Sequence, residues 1–259
     1  MLLHACGSLP RLDAVPPALT ERAAISGIPN SRYWLDRDLG PFIQDAIQDT
    51  KRENEALAEA GKPVAPLPPA YLLAISGGGD AAAFAAGILA GWNTHGDRPE
   101  FKVVTGISAG ALIAPFAFLG PQYDDVVRSV ATSIGPKDIF HPRNRLKGLA
   151  SDGMADSRPL AQLVARYITP EILAAIAREY GKGRVLQIGT TDLDAGRAVT
   201  WSMGAIAASG APGALGSDVH NEEFNTAYMK RLFDYVYQLS VKGYSWHKAP
   251  PGEATRERH

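Results

Sequence analysis

The chain has 259 residues and a formal net charge of −1, with 46% hydrophobic and 20% charged residues. That length fits one good-sized α/β domain, the composition excludes global disorder, and the balanced charge gives no reason to expect a nucleic-acid partner. No apolar run approaches the roughly 18 residues of a membrane-spanning helix, and a lone cysteine excludes a disulfide framework or a cysteine-based metal site.

That cysteine, Cys6, follows Leu2-Leu3-His4-Ala5. The context is similar to the end of a bacterial lipoprotein signal, in which a cysteine after small residues is lipidated. Such a signal also needs a charged start and an apolar stretch of roughly 7–15 residues; here five residues precede Cys6 and His4 interrupts them. Two locations stay open: cytoplasmic for the chain as written, or membrane-anchored through Cys6 if the true start lies upstream.

Residues 7–38 are rich in Pro, Arg and Asp without a period, and read as a surface-wrapping arm. From Gly40 to Ala60 the pattern is helical, with Phe42, Ile43, Ala46 and Ile47 on one apolar stripe and Gly61 as its stop. Lys62 to Ala70 holds four prolines and reads as an extended linker.

Tyr71 to Ile75 is a short continuous apolar run, the pattern of a strand buried on both faces. It runs into Ser76-Gly77-Gly78-Gly79, and an Ala-rich helix follows from Asp80 to about Trp92. A second strand, Phe101 to Thr105, ends in Gly106-Ile107-Ser108-Ala109-Gly110, and a helix runs on to about Leu119. Right-handed connection makes the two strands parallel and sets both glycine turns at one sheet edge. Helices follow at 122–132, 157–168 and 170–180. Arg184 to Thr191 reads as a third buried strand, turned by Asp194-Ala195-Gly196 into an antiparallel partner, Ala198 to Met203. Phe224, Tyr228, Leu232 and Val236 mark one face of a last helix, Glu222 to about Val241.

Chemistry concentrates in the two glycine turns. A serine becomes a nucleophile when its hydroxyl is presented, a base takes its proton and the oxyanion is stabilised. Gly106-x-Ser108-x-Gly110 between strand and helix presents the hydroxyl, since glycines at ±2 remove clashing side chains. The amides of Gly77, Gly78, Gly79 and Asp80, at a helix N-terminus, form a donor array for developing negative charge. The bland reading of each is a turn that merely lets strand and helix pack.

Gly77-x-Gly79-x-x-Ala82 also fits a dinucleotide fingerprint, but Asp97 and Glu100 precede the second strand instead of closing it. In an ordinary α/β-hydrolase several strands precede the elbow and a histidine completes the triad. Here one strand precedes the elbow, and His141, His220 and His247 sit in loop-like or terminal contexts.

Ile75 to Gly87 followed by Gly106-Ile107-Ser108-Ala109-Gly110 resembles the patatin-like phospholipases. Similarity runs on through Ser151 to Leu160, Ile188 to Asp194, and Phe224 to Gly252. The resemblance implies a three-layer α/β/α fold and lipid acyl hydrolysis by a Ser-Asp dyad. It makes Ser108 the nucleophile and the Gly77–Asp80 amides the oxyanion hole, with Gly106 and Gly110 shaping the elbow. It implies no cofactor and no metal. The partners it implies are a lipid or other acyl-ester substrate, with peripheral membrane contact.

Two departures stand out. Ala81-Ala82 occupies the place where the family often has Arg-Gly. The family's dyad aspartate lies in an Asp-Gly-Gly or Asp-Gly-Ala loop after the hairpin, yet here Ala207 to Gly213 leads almost directly into the last helix. The only Asp-Gly pair, Asp152-Gly153, lies too early. Asp192, at a strand end, and Asp218, in the joining segment, are the other candidates; a turn-holding role suits Asp192 and a capping role Asp152.

The expectation is therefore an α/β chain with an abbreviated, mostly parallel sheet. It comprises an arm, helix and linker over 1–70, a patatin-like domain over 71–248 shortened near 214–221, and a polar tail over 249–259. The expected function is an impaired or inactive serine acyl hydrolase; the alternative is a non-catalytic lipid-binding or interaction module.

Overall fold

The computed structural model describes residues 28–34, 36–139, 141–142, 155–156, 158–192 and 195–210, together with Asp234, Tyr237, Gln238, Val241 and Lys242. In chain order the elements are β1 (Arg32–Tyr33), α1 (Leu39–Glu59), β2 (Leu72–Ile75), α2 (Ala82–His95), β3 (Val103–Ile107), α3 (Ala109–Leu119) and α4 (Asp124–Ser133). There follow α5 (Pro136–Ile139), β4 (His141–Pro142), β5 (Ala155–Asp156), α6 (Arg158–Tyr167), α7 (Pro170–Gly181), β6 (Val185–Asp192), β7 (Arg197–Ser202) and α8 (Met203–Ser209).

Five strands form one sheet in the order β1-β7-β6-β3-β2. β2, β3 and β6 are mutually parallel, whereas β7 is antiparallel to both β6 and β1. Four of the five strands thus run the same way. The steps from β2 to β3 and from β3 to β6 move across the sheet in one direction, so right-handed crossovers put α2, α3 and α7 on the same face. The buried side of the sheet faces this helical layer through Ile75, Val104 and Leu186, packed on Ile113, Ala114, Phe116 and Phe118 of α3. Small residues make close helix packing possible: α2 buries Ala82, Ala83, Ala86, Gly87, Ala90 and Gly91.

The other side of β2 is open. Leu72 is 72% exposed and Ala74 is exposed too, which corrects the expectation of a strand buried on both faces. β2 is an edge strand, and an apolar run alone does not distinguish an edge from a centre. A second correction concerns α1, of whose expected apolar stripe only Phe42 docks, its ring edge-on to Tyr33 at 5.4 Å. Ile43 and Ile47 are nearly half exposed, and the rest of the helix's attachment is polar. The Tyr33 hydroxyl donates to Asp45, Lys102 pairs with Glu53, and Arg52 lies 4.0 Å over the Tyr180 ring while donating to the Tyr180 carbonyl. Gly183 has φ 76° and its Cα abuts the Asp49 carbonyl, so no side chain fits there.

Part of the N-terminal arm proves to be sheet. Arg32 and Tyr33 pair with Trp201 and Thr200, and Ile28, Tyr33 and Trp34 are buried. A strand of two residues has no period to read, which is why the sequence hides it. It also means that β1 and β2, two strands and not one, precede the serine strand. The expected helices at 122–132, 157–168 and 170–180 correspond to α4, α6 and α7, and the β6–β7 hairpin lies within two residues of its expected bounds. His141 lies in β4 opposite Asp156, not in a loop. Of the expected last helix, Asp234, Tyr237, Gln238 and Val241 are helical; its other residues, like residues 1–27, lie outside the described part. Among the described residues no single helix is long and apolar enough to cross a membrane.

Arg184, at the entry to β6, ties the layers together. It is 6% exposed and donates to the carbonyls of Phe101 (3.0 and 2.8 Å) and Phe118 (2.5 Å) and to Glu179 (2.8 Å). It thereby satisfies one C-terminal carbonyl of α3, that of Phe118, and stacks on the Phe118 ring. Burial pushes the Glu179 carboxyl up, but hydrogen bonds from Lys182 and Arg184 outweigh it and hold the group below its usual range. A lowered folded value means the contribution is present above the ordinary 4.5 and is lost as pH falls through the lowered value. Replacing Arg184 with leucine strands buried carbonyls and is expected to cost about 3 kcal/mol in urea unfolding at pH 7. The same variant should lose part of the parent's acid sensitivity below pH 4.5; an unchanged acid profile would remove Glu179 from the account.

Candidate active site

The first turn leaves β2 at Ile75 and enters α2 through a 3-10 turn over Gly79–Ala81. Gly78 and Gly79 have φ of 124° and 50°, conformations open to glycine and costly for other residues. The Ala81 amide closes the turn on the Gly78 carbonyl at 2.9 Å. Among the described residues no backbone carbonyl accepts from the amides of Gly77, Gly78 or Gly79. Asp80 sits half-buried within the turn.

The second turn joins β3 to α3. Ser108 is the residue before the helix, with φ 52° and ψ −125°. Such a backbone costs a serine about 1–3 kcal/mol and persists only where its surroundings over-determine it. Glycines supply that determination by letting backbones touch. A Cβ on Gly106 would fall 2.7 Å from the Ala114 Cβ and from the Gly110 carbonyl oxygen. One on Gly110 would fall 2.7 Å from the Ser76 carbonyl oxygen and nearer still to that of Ile75.

The two turns meet at Gly77. A Cβ placed there would lie 2.8 Å from the Ser108 Cβ and 3.4 Å from its Oγ. Since a Cβ sits about 2.5 Å from its own amide nitrogen, the Ser108 hydroxyl lies within about 6 Å of the Gly77 nitrogen. The site is open: Ser108, Ile107, Gly78, Ala81 and Phe84 are all exposed.

The candidate bases divide. Asp192 ends β6, where its Oδ1 accepts the Ala195 amide at 2.9 Å and holds the hairpin turn. Gly189 stands abreast of Ile107, so Asp192 lies three residues further along, about 10 Å by strand rise. Asp152, Asp218, His220 and His247 lie outside the described residues. Among the described residues no group of three or more His, Cys, Asp or Glu is arranged to hold a metal ion.

One feature escaped the sequence reading. An apolar pocket lies in the helical layer between α3, α4, α6 and α7, with Ile188 and Met203 also on its wall. Ala111, Leu112, Pro115 and Phe116 supply the α3 side. Their spacing at i, i+1, i+4 and i+5 marks one helix face, but α3 is apolar all round, so no subset of it draws attention. Ala111, whose amide bonds to the Ser108 carbonyl at 2.9 Å, brings the pocket within one helical turn of the serine.

A mostly parallel sheet with two glycine turns at one rim makes this an α/β domain. The sequence model of the patatin-like phospholipases matches residues 73–234, more than half of the chain. The chain belongs to the patatin-like phospholipase family, whose general activity is lipid acyl hydrolysis on lipid substrates. Among curated proteins and among solved structures, none matches it.

If the elbow stores strain, Ser108→Gly should raise stability by about 1 kcal/mol, while Gly110→Ala should lower it by about 3 kcal/mol. Urea titration measures both. A Ser108→Gly protein no more stable than its parent would show an unstrained turn.

Proposed function

We propose that this chain is a serine acyl hydrolase that cleaves carboxylic esters of lipids through an acyl-enzyme on Ser108. The observation that carries the reading is the positive φ of Ser108 on a strand-to-helix turn, with its hydroxyl beside the glycine turn. Ser108 Oγ attacks the acyl carbon, and the carbonyl electron pair moves onto oxygen, where the amides of Gly77, Gly78, Gly79 and Asp80 hold it. Collapse expels the alcohol together with the proton the serine gave up. Water then adds to the acyl-serine, and a second collapse releases the acid and returns a proton to Ser108. The exposed Ile107 and Phe84 beside the serine support approach from a lipid surface.

Turnover is slow in this proposal. The chain holds no Asp-Gly pair after Gly153, so the family's dyad aspartate has no counterpart in its usual motif. Loss of the base in a serine site costs roughly four orders of magnitude or more, although oxyanion stabilisation leaves a residual rate. The same missing motif, together with the apolar pocket, favours a second reading, a lipid-binding module without turnover.

A fluorophosphonate probe separates the two. Stoichiometric, time-dependent labelling is expected on the parent chain and none on Ser108→Ala, with ester turnover far below that of a complete dyad. A folded protein that binds lipid yet never labels would establish the module instead.

A further inference from the structure

We propose that the pocket in the helical layer takes the acyl chain of the ester and that the Phe116–Tyr167 ring pair limits it to medium length. The inference rests on the hydrolase reading for the position of the reacting carbonyl, but the pocket itself is tested without turnover. Its walls are aliphatic and aromatic, and among the described lining residues the one polar side-chain group, the Tyr167 hydroxyl, is held by Ser129 at 3.1 Å. Such a cavity has nothing to offer a headgroup and suits a hydrocarbon chain.

Direction follows from the elements. Ala111, bonded to Ser108, and Ile188, abreast of Gly106, line the end nearer the serine. Phe116 lies eight residues beyond Ser108, about 12 Å along the helix. There its ring meets Tyr167 edge-on at 6.4 Å and Tyr123 at 6.1 Å. Phe116 is 1% exposed, so its ring is held fixed within the packed layer. At roughly 1.25 Å per methylene, from a C–C bond of about 1.5 Å, a 12 Å run holds an extended chain of roughly eight to ten carbons. A longer chain has to bend back or leave its end in water.

Straight-chain fatty acids, from butanoate to hexadecanoate and kept below their micelle concentrations, test this by calorimetry on the full chain. Affinity should tighten about fourfold per methylene, then level off near decanoate. Tyr167→Ala should move that break to chains longer by at least two carbons, whereas Tyr167→Phe, which keeps the ring, should leave it in place. Leu112→Trp, at a half-buried position near the serine end, should weaken every chain length by tenfold or more. No saturable binding, affinity that climbs without a break to hexadecanoate, or a break unmoved in a folded Tyr167→Ala would overturn the proposal. If Tyr167→Ala does not fold, unchanged binding in Leu112→Trp overturns it alone. Failure of fluorophosphonate labelling with chain-length dependence intact would instead remove the hydrolase reading and keep the pocket.

Discussion

The arrangement depends on backbone meeting backbone without side chains between. Gly110 rests on the carbonyls of Ile75 and Ser76, Gly106 on the first turns of α3, and Gly77 on Ser108 itself. Each contact lies below the distance a Cβ tolerates, so three glycines let α3 settle into the crook between β2 and β3. That closeness is what aligns the two turns at one rim, and it also forces Ser108 into its positive φ. Strain in the serine and proximity to the glycine turn are therefore two results of one packing constraint.

The same constraint organises the apolar side of the site. Because α3 begins at the elbow and runs down the sheet against β3 and β6, its far face looks into the space bounded by α4, α6 and α7. The elbow serine at the top of this helix and the apolar pocket along its flank lie within one helical turn of each other, through Ala111. At the rim stand the amides of Gly77, Gly78 and Gly79, which among the described residues meet no backbone carbonyl, and beneath it lies a pocket walled by aliphatic and aromatic side chains. Lipid esters have this same division between a polar carbonyl and an apolar chain.

Elsewhere polar groups hold the apolar layers in register. Arg184 joins the end of α3, the approach to β3 and the end of α7 through the Phe118 and Phe101 carbonyls and the Glu179 carboxylate. Arg98 does similar work at the far side, donating to the Asp124 carboxylate at 2.7 Å and to the Leu89 carbonyl. Burial pushes the Asp124 carboxyl up against the lowering effect of Arg98. α1 is attached through Asp45, Arg52 and Glu53, so its contact is specific in geometry although poor in apolar area.

Local rules reach as far as contacts between neighbours in sequence. The alternation of apolar runs with glycine turns made β2, α2, β3 and α3 legible, along with their parallel order, because handedness leaves one arrangement. The β6–β7 hairpin was legible from Gly196, which takes φ 62°. Only the tertiary structure decided that β2 is an edge, that α1 docks largely through polar groups, and that Arg32 and Tyr33 extend the sheet. The pocket belongs with these, since its walls come from six elements spread over about 90 residues and no spacing along the chain encodes their convergence.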